Sequence, residues 1–93
     1  MPAQGNTTVD FGAFPGKSDT TATVTGQTGI SGGALVEAWI WPLATADHSV
    51  DEHRVEEITV MADSIVAATG FTIFARTNNR PLYGQWSVAW VWN

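Results

Sequence analysis

The chain has no cysteine, which removes disulfide frameworks, thiolate metal sites and cysteine nucleophiles together. Basic residues are scarce: four Lys and Arg stand against nine Asp and Glu, a net charge of −5. That is the wrong sign for a domain that gains affinity by contacting phosphates or anionic lipid, so neither nucleic acid nor a membrane surface is expected as a partner. Only 14% of the residues are charged, leaving few groups for acid–base chemistry. The longest apolar-rich run, residues 34–46, is broken by Glu37 and Pro42 and falls short of the roughly 18 residues that a spanning helix needs. The first ten residues carry neither a basic residue nor an apolar stretch, and the expectation is a protein made and kept in a cytosol, without a leader.

What is present is enough for one core. At 93 residues and 10.0 kDa the folded surface is expected near about 5,200 Å², against about 14,500 Å² for the extended chain. A hydrophobic fraction of 44% excludes intrinsic disorder. Nine glycines and four prolines cut the chain into segments too short for several helices. Alternation of apolar and polar residues predicts strands at 7–11, 20–25, 34–41, 55–62, 71–77 and 83–92, with a short additional one at 64–67. In 20–25 Ala22 and Val24 share a face, and in 83–92 Trp86, Val88, Trp90 and Trp92 do so. Ser49, Val50, Asp51 and Glu52 have capping-box spacing, but Val50 and Val55 make no stripe, so 46–57 reads as an acidic loop with at most one helical turn. The expected fold is all-β: an antiparallel β-sandwich or jelly-roll-like barrel of six or seven short strands at residues 9–93, preceded by a small, polar amino-terminal arm at 1–8.

Three constellations invite a chemical reading. Gly29-Ile30-Ser31-Gly32-Gly33 matches the G-x-S-x-G elbow of serine hydrolases, with Asp47 and His48 or His53 following in the order of that superfamily. The elbow requires a strand, a strained turn and a helix under a large parallel sheet, which this chain is too short to build, so the pentapeptide reads as a flexible turn and no catalytic residue is assigned. His48 and His53 stand among Asp47, Asp51, Glu52, Glu56 and Glu57, but the spacing fits neither a zinc helix nor a calcium loop; no metal and no cofactor are expected. Glu56 and Glu57 point to opposite sides of an extended segment and cannot flank one glycosidic bond.

The tryptophans are the anomaly. Trp39, Trp41, Trp86, Trp90 and Trp92 would bury on the order of 750–1,250 Å², more than a core of this size is expected to hold. Three destinations stay open for them: a generous sandwich core, a contact with another chain, or a platform on which sugar rings stack. Trp86, Trp90, Trp92, Val91 and Tyr83 are the candidates for a subunit interface; Trp39, Trp41 and Tyr83 are those for sugar stacking.

Residues 46–58 (Ala-Asp-His-Ser-Val-Asp-Glu-His-Arg-Val-Glu-Glu-Ile), 70–76 (Gly-Phe-Thr-Ile-Phe-Ala-Arg), 82–93 (Leu-Tyr-Gly-Gln-Trp-Ser-Val-Ala-Trp-Val-Trp-Asn) and 9–16 (Val-Asp-Phe-Gly-Ala-Phe-Pro-Gly) resemble a group of short β-rich proteins encoded in the virion regions of tailed bacteriophages and prophages. The connection at 78–82 is shorter than in many of them. The resemblance implies a non-enzymatic structural protein of the virion, either a capsid decoration (cement) subunit or a piece of the tail or fibre apparatus, and brings no catalytic residues. It implies the major capsid protein or other virion proteins as partners and a homo-oligomer assembled in the host cytoplasm; a symmetric particle multiplies weak contacts by avidity. The alternatives are a carbohydrate-binding module of a tail or fibre tip and a small serine hydrolase using Ser31.

Overall fold

A computed structural model describes residues 3–78 and 80–93. It is all-β, with two antiparallel three-stranded sheets facing each other. The strands are β1 (Ala3–Asp10), β2 (Asp19–Val24), β3 (Val36–Ile40), β4 (Ile58–Val66), β5 (Gly70–Thr77) and β6 (Gln85–Trp92), and a short helix α1 (Val50–Val55) precedes β4. One sheet has the order β1-β6-β3 and the other β2-β5-β4. Only the β4–β5 connection stays within a sheet; each of the others crosses from one sheet to its partner. β1 lies beside β2 and β3 beside β4 without a ladder between them, so the sandwich is not closed into a barrel. The accessible surface is 5465 Å², close to the area expected from mass alone.

Period-two alternation carries the core. Val9 of β1, Val24 of β2, Phe71, Ile73 and Ala75 of β5, and Trp86, Val88, Trp90 and Trp92 of β6 point inward, joined by Phe11, Ile30 and Leu82 from the connections. All three indoles of β6 are therefore inside, with Trp86 3%, Trp90 7% and Trp92 4% exposed. They fit because each is accommodated by something specific. The Trp86 indole N–H donates to the Tyr83 carbonyl at 3.2 Å and that of Trp92 to Gln27 Oε1 at 2.9 Å, so neither polar edge is stranded in the core. Trp90 makes an edge contact with Phe71 and its ring lies over Gly5, its pairing partner, where a Cβ would stand 2.6 Å from Cζ2.

The segment expected as an arm is a strand. β1 pairs with β6 along its whole length, from Ala3 opposite Trp92 to Asp10 opposite Gln85, so residues 3–8 belong to the sandwich. The extra strand expected at 64–67 is the end of β4, displaced by a bulge between Asp63 and Val66 where Ser64 takes a left-handed φ of 57°. At 50–55 the helix exceeds the single turn expected. Its capping box is complete: Ser49 Oγ accepts from the Glu52 N–H, and the Glu52 carboxylate accepts from the Ser49 N–H at 2.8 Å. α1 is far too short to cross a membrane, and no helix among the described residues is long and apolar enough to do so.

Candidate functional site

The outer face of the β1-β6-β3 sheet is built in rows by the register. Asn6 stands opposite Ala89, which stands opposite Trp39; Gln4 stands opposite Val91, which stands opposite Glu37. Trp41 extends the β3 row by one repeat, its N–H donating to the Ser87 carbonyl at 3.0 Å. The tryptophans expected to stack sugars, Trp39 and Trp41, are on this face and 41% and 44% exposed. Together with Gln4, Asn6 and Ala89 they line an open cleft of about 280 Å³. Ala89, a methyl between an indole and an amide, keeps the floor low.

A second group of side chains gathers at the end of the sandwich where β6 begins. The turn after β1 presents Phe14 at 79% exposure, with its ring edge-on to Tyr83 at 5.6 Å. Tyr83 contacts His48, which stacks on Trp86 at 3.8 Å between ring centres. Exposed Val55 of α1 and Pro81 complete a shallow recess beside Phe14 and Tyr83. Glu56 and Arg80 pair at its rim at 3.6 Å.

The two histidines hold this end together, and do so differently. His48 Nδ1 lies 2.9 Å from Glu52 Oε2 and Nε2 lies 2.6 Å from the Tyr83 carbonyl. Both partners are acceptors, so whichever ring nitrogen carries a proton donates to the one it faces. The hydrogen bond from His48, followed by that from the Ser49 N–H, holds the Glu52 carboxyl below the usual carboxylate range. His53 is 3% exposed; its Nδ1 donates to the Ser49 carbonyl at 2.7 Å and its Nε2 accepts from the Ser87 N–H at 2.9 Å. A regular ladder would give Ser87 the Trp41 carbonyl, but that oxygen accepts from Leu43 as the chain turns at Pro42. The imidazole takes the place of a missing strand.

Several expectations change with this placement. Trp86, Trp90 and Trp92 face the core and offer no surface to another subunit. Val91 is half-buried on the outer face, and Tyr83, at 41%, is the most exposed of the five interface candidates. Ser31 is exposed in a loop, while Asp47 accepts from the Gln85 N–H at 2.8 Å and both ring nitrogens of His48 and of His53 are engaged elsewhere. The order of residues that suggested a hydrolase thus does not assemble into a hydrogen-bonded triad. Among the described residues, no group of three or more His, Asp or Glu side chains is placed to share a metal ion. Sequence reasoning passed over Gln4 and Asn6, assigned to an arm, and Phe14, which lies between the expected strands at 7–11 and 20–25.

No family model, curated protein or solved structure matches this chain.

Proposed function

We propose that this protein is a non-enzymatic structural subunit of a phage virion, a capsid decoration or cement protein that attaches through the apolar end around Phe14, Tyr83 and Val55. The observation that carries the attachment surface is Phe14: a phenylalanine left 79% exposed at the tip of a turn and steadied from the side by Tyr83. Rigid aromatic projections with apolar neighbours are the anchors on which protein interfaces concentrate their energy. Burying this ring removes about 150 Å² of apolar surface from water, an upper bound of about 4 kcal/mol. Repeated by symmetry around a shell, such a contact needs little affinity per copy. The assignment to a virion follows the expectation raised by the resemblance read from the sequence, and the net charge of −5 keeps the free subunit soluble before it docks.

Co-sedimentation with purified particles of the encoding phage tests the proposal. The protein is expected on the particle, and Phe14→Ala, with an unchanged circular dichroism spectrum, is expected to weaken attachment by about 30- to 700-fold, the equivalent of about 2–4 kcal/mol. A monomer that never sediments with particles, or a Phe14→Ala variant that sediments like the parent, overturns it.

A further inference from the structure

We infer that the cleft on the outer face of the β1-β6-β3 sheet is a binding site for a neutral saccharide. It is separate from the Phe14 end and stands on its own observations. Trp39 in β3 and Trp41 just past its end are two residues apart, so their Cα atoms stand on the same face about 7 Å from each other, and each residue is close to half exposed. Across the sheet on β1, two strands and about 10 Å away, Asn6 stands in the row of Trp39 and Gln4 in the neighbouring row of Glu37, and both amides line the cleft. Between the two walls the floor is the Ala89 methyl.

The chemistry of the two walls differs, and a sugar matches the difference. One face of a pyranose ring presents C–H groups, which pack on the flat apolar surface of an indole; its rim presents hydroxyls, which need groups that both donate and accept. A side-chain amide does both. Gln4 and Asn6 are exposed, and their side-chain amides have no hydrogen-bond partner among the described residues. A second polypeptide seated on this face would leave those amides to be desolvated against backbone it must orient, whereas ring hydroxyls rotate to meet them. The cleft is lined by no ionisable residue, and the nearest on this face, Glu37 in the adjoining row, disfavours an anionic sugar. The volume of about 280 Å³ lies just below the usual range of small-ligand sites, which suits one or two rings held in an open cleft.

The test is a titration of the intact protein with neutral mono- and disaccharides (glucose, galactose, N-acetylglucosamine and their β-linked dimers), read by indole fluorescence and by a glycan array. Because the buried indoles are shielded, the change is expected from Trp39 and Trp41. Millimolar dissociation constants are expected, weakened at least tenfold by Trp39→Ala or Trp41→Ala and several-fold by Asn6→Ala, with unchanged thermal midpoints because all three side chains lie outside the core. Sialylated glycans are expected to bind more weakly than their neutral parents. No response to any neutral sugar at 20 mM overturns the inference, as does binding that survives both tryptophan substitutions. A concentration-dependent dimer that Trp39→Ala dissolves also overturns it, because a second copy then covers the face. Phe14→Ala separates the two readings: it removes particle attachment and leaves sugar binding intact.

Discussion

Replacing His53 asks how much of the sandwich rests on one imidazole nitrogen. In His53→Leu the side-chain volume is kept near the original, but the Ser87 N–H loses its acceptor. Ser87 is 3% exposed, so water does not substitute freely, and an orphaned buried donor costs about 1–3 kcal/mol. The Ser49 carbonyl is less affected, because it also accepts from the His53 backbone N–H at 3.3 Å. His53→Ala adds the loss of packing against Trp86, whose ring centre lies 5.0 Å away, for a total of about 2–4 kcal/mol. For a chain of this length the unfolding entropy is about 0.2 kcal/mol/K, so each kcal/mol lowers the melting temperature by about 5 °C. The expected losses are about 5–15 °C for His53→Leu and about 10–20 °C for His53→Ala. His53→Gln, which offers a carbonyl acceptor, is expected to recover part of the difference. Urea unfolding followed by tryptophan fluorescence measures the free energies, and amide exchange at Ser87 reports the bond itself. A His53→Leu protein within about 0.5 kcal/mol of the parent, or a His53→Gln protein no better than His53→Leu, would refute the assignment of Nε2 as a surrogate ladder acceptor.

Two further outcomes are expected. Gly70→Ala places a methyl onto the Val24 carbonyl oxygen at the last pair of the β2–β5 ladder; backbone cannot rotate aside, and a loss of at least about 1–3 kcal/mol is expected in urea unfolding, so a melting temperature within 2 °C of the parent contradicts the close approach. Because the Glu52 carboxyl is held below its ordinary value in the folded protein, its stabilising contribution is present above the usual carboxylate range and is lost as the pH falls through the folded value. Glu52→Gln keeps the reach to the Ser49 N–H but not the charge facing His48, so the gap in urea midpoint between parent and variant should narrow between pH 7 and pH 3. A constant gap counts against the His48–Glu52 pair.

The strands of the second sheet were legible because each has one wet and one dry face. Ala22 with Val24, and Phe71 with Ile73 and Ala75, alternate so regularly that only an extended segment can bury them together. β1 was not legible by the same rule, since its inward row of Ala3, Gly5, Thr7 and Val9 carries little hydrophobicity. That row is small because the indoles of Trp90 and Trp92 lie opposite it, and complementarity of size across a ladder leaves no trace in hydropathy. For β6 the shared face of Trp86, Trp90 and Trp92 was plain, yet the side facing inward was not, because Ser87 and Ala89 on the reverse are also buried. The helix posed the opposite problem. Its capping box was visible, but its anchor is His53, a polar side chain that goes inside only because both ring nitrogens find partners there. The cleft was half legible: Trp39 and Trp41 were candidates from the start, while the amides across the sheet from them come from a strand that could be placed only once its pairing was known.

The strand order also bears on biosynthesis. β6 is the middle of its sheet and the last of the six strands to leave the ribosome, so β1 and β3 wait with open edges while the β4–β5 hairpin is already able to form. Nearly all pairing in that sheet joins residues distant in the chain, which places the fold among the slow ones. Until residue 92 is synthesised, the nascent chain exposes two unpaired strands, and a product cut short before Gln85 would retain the hairpin sheet but have nothing to hold the other together.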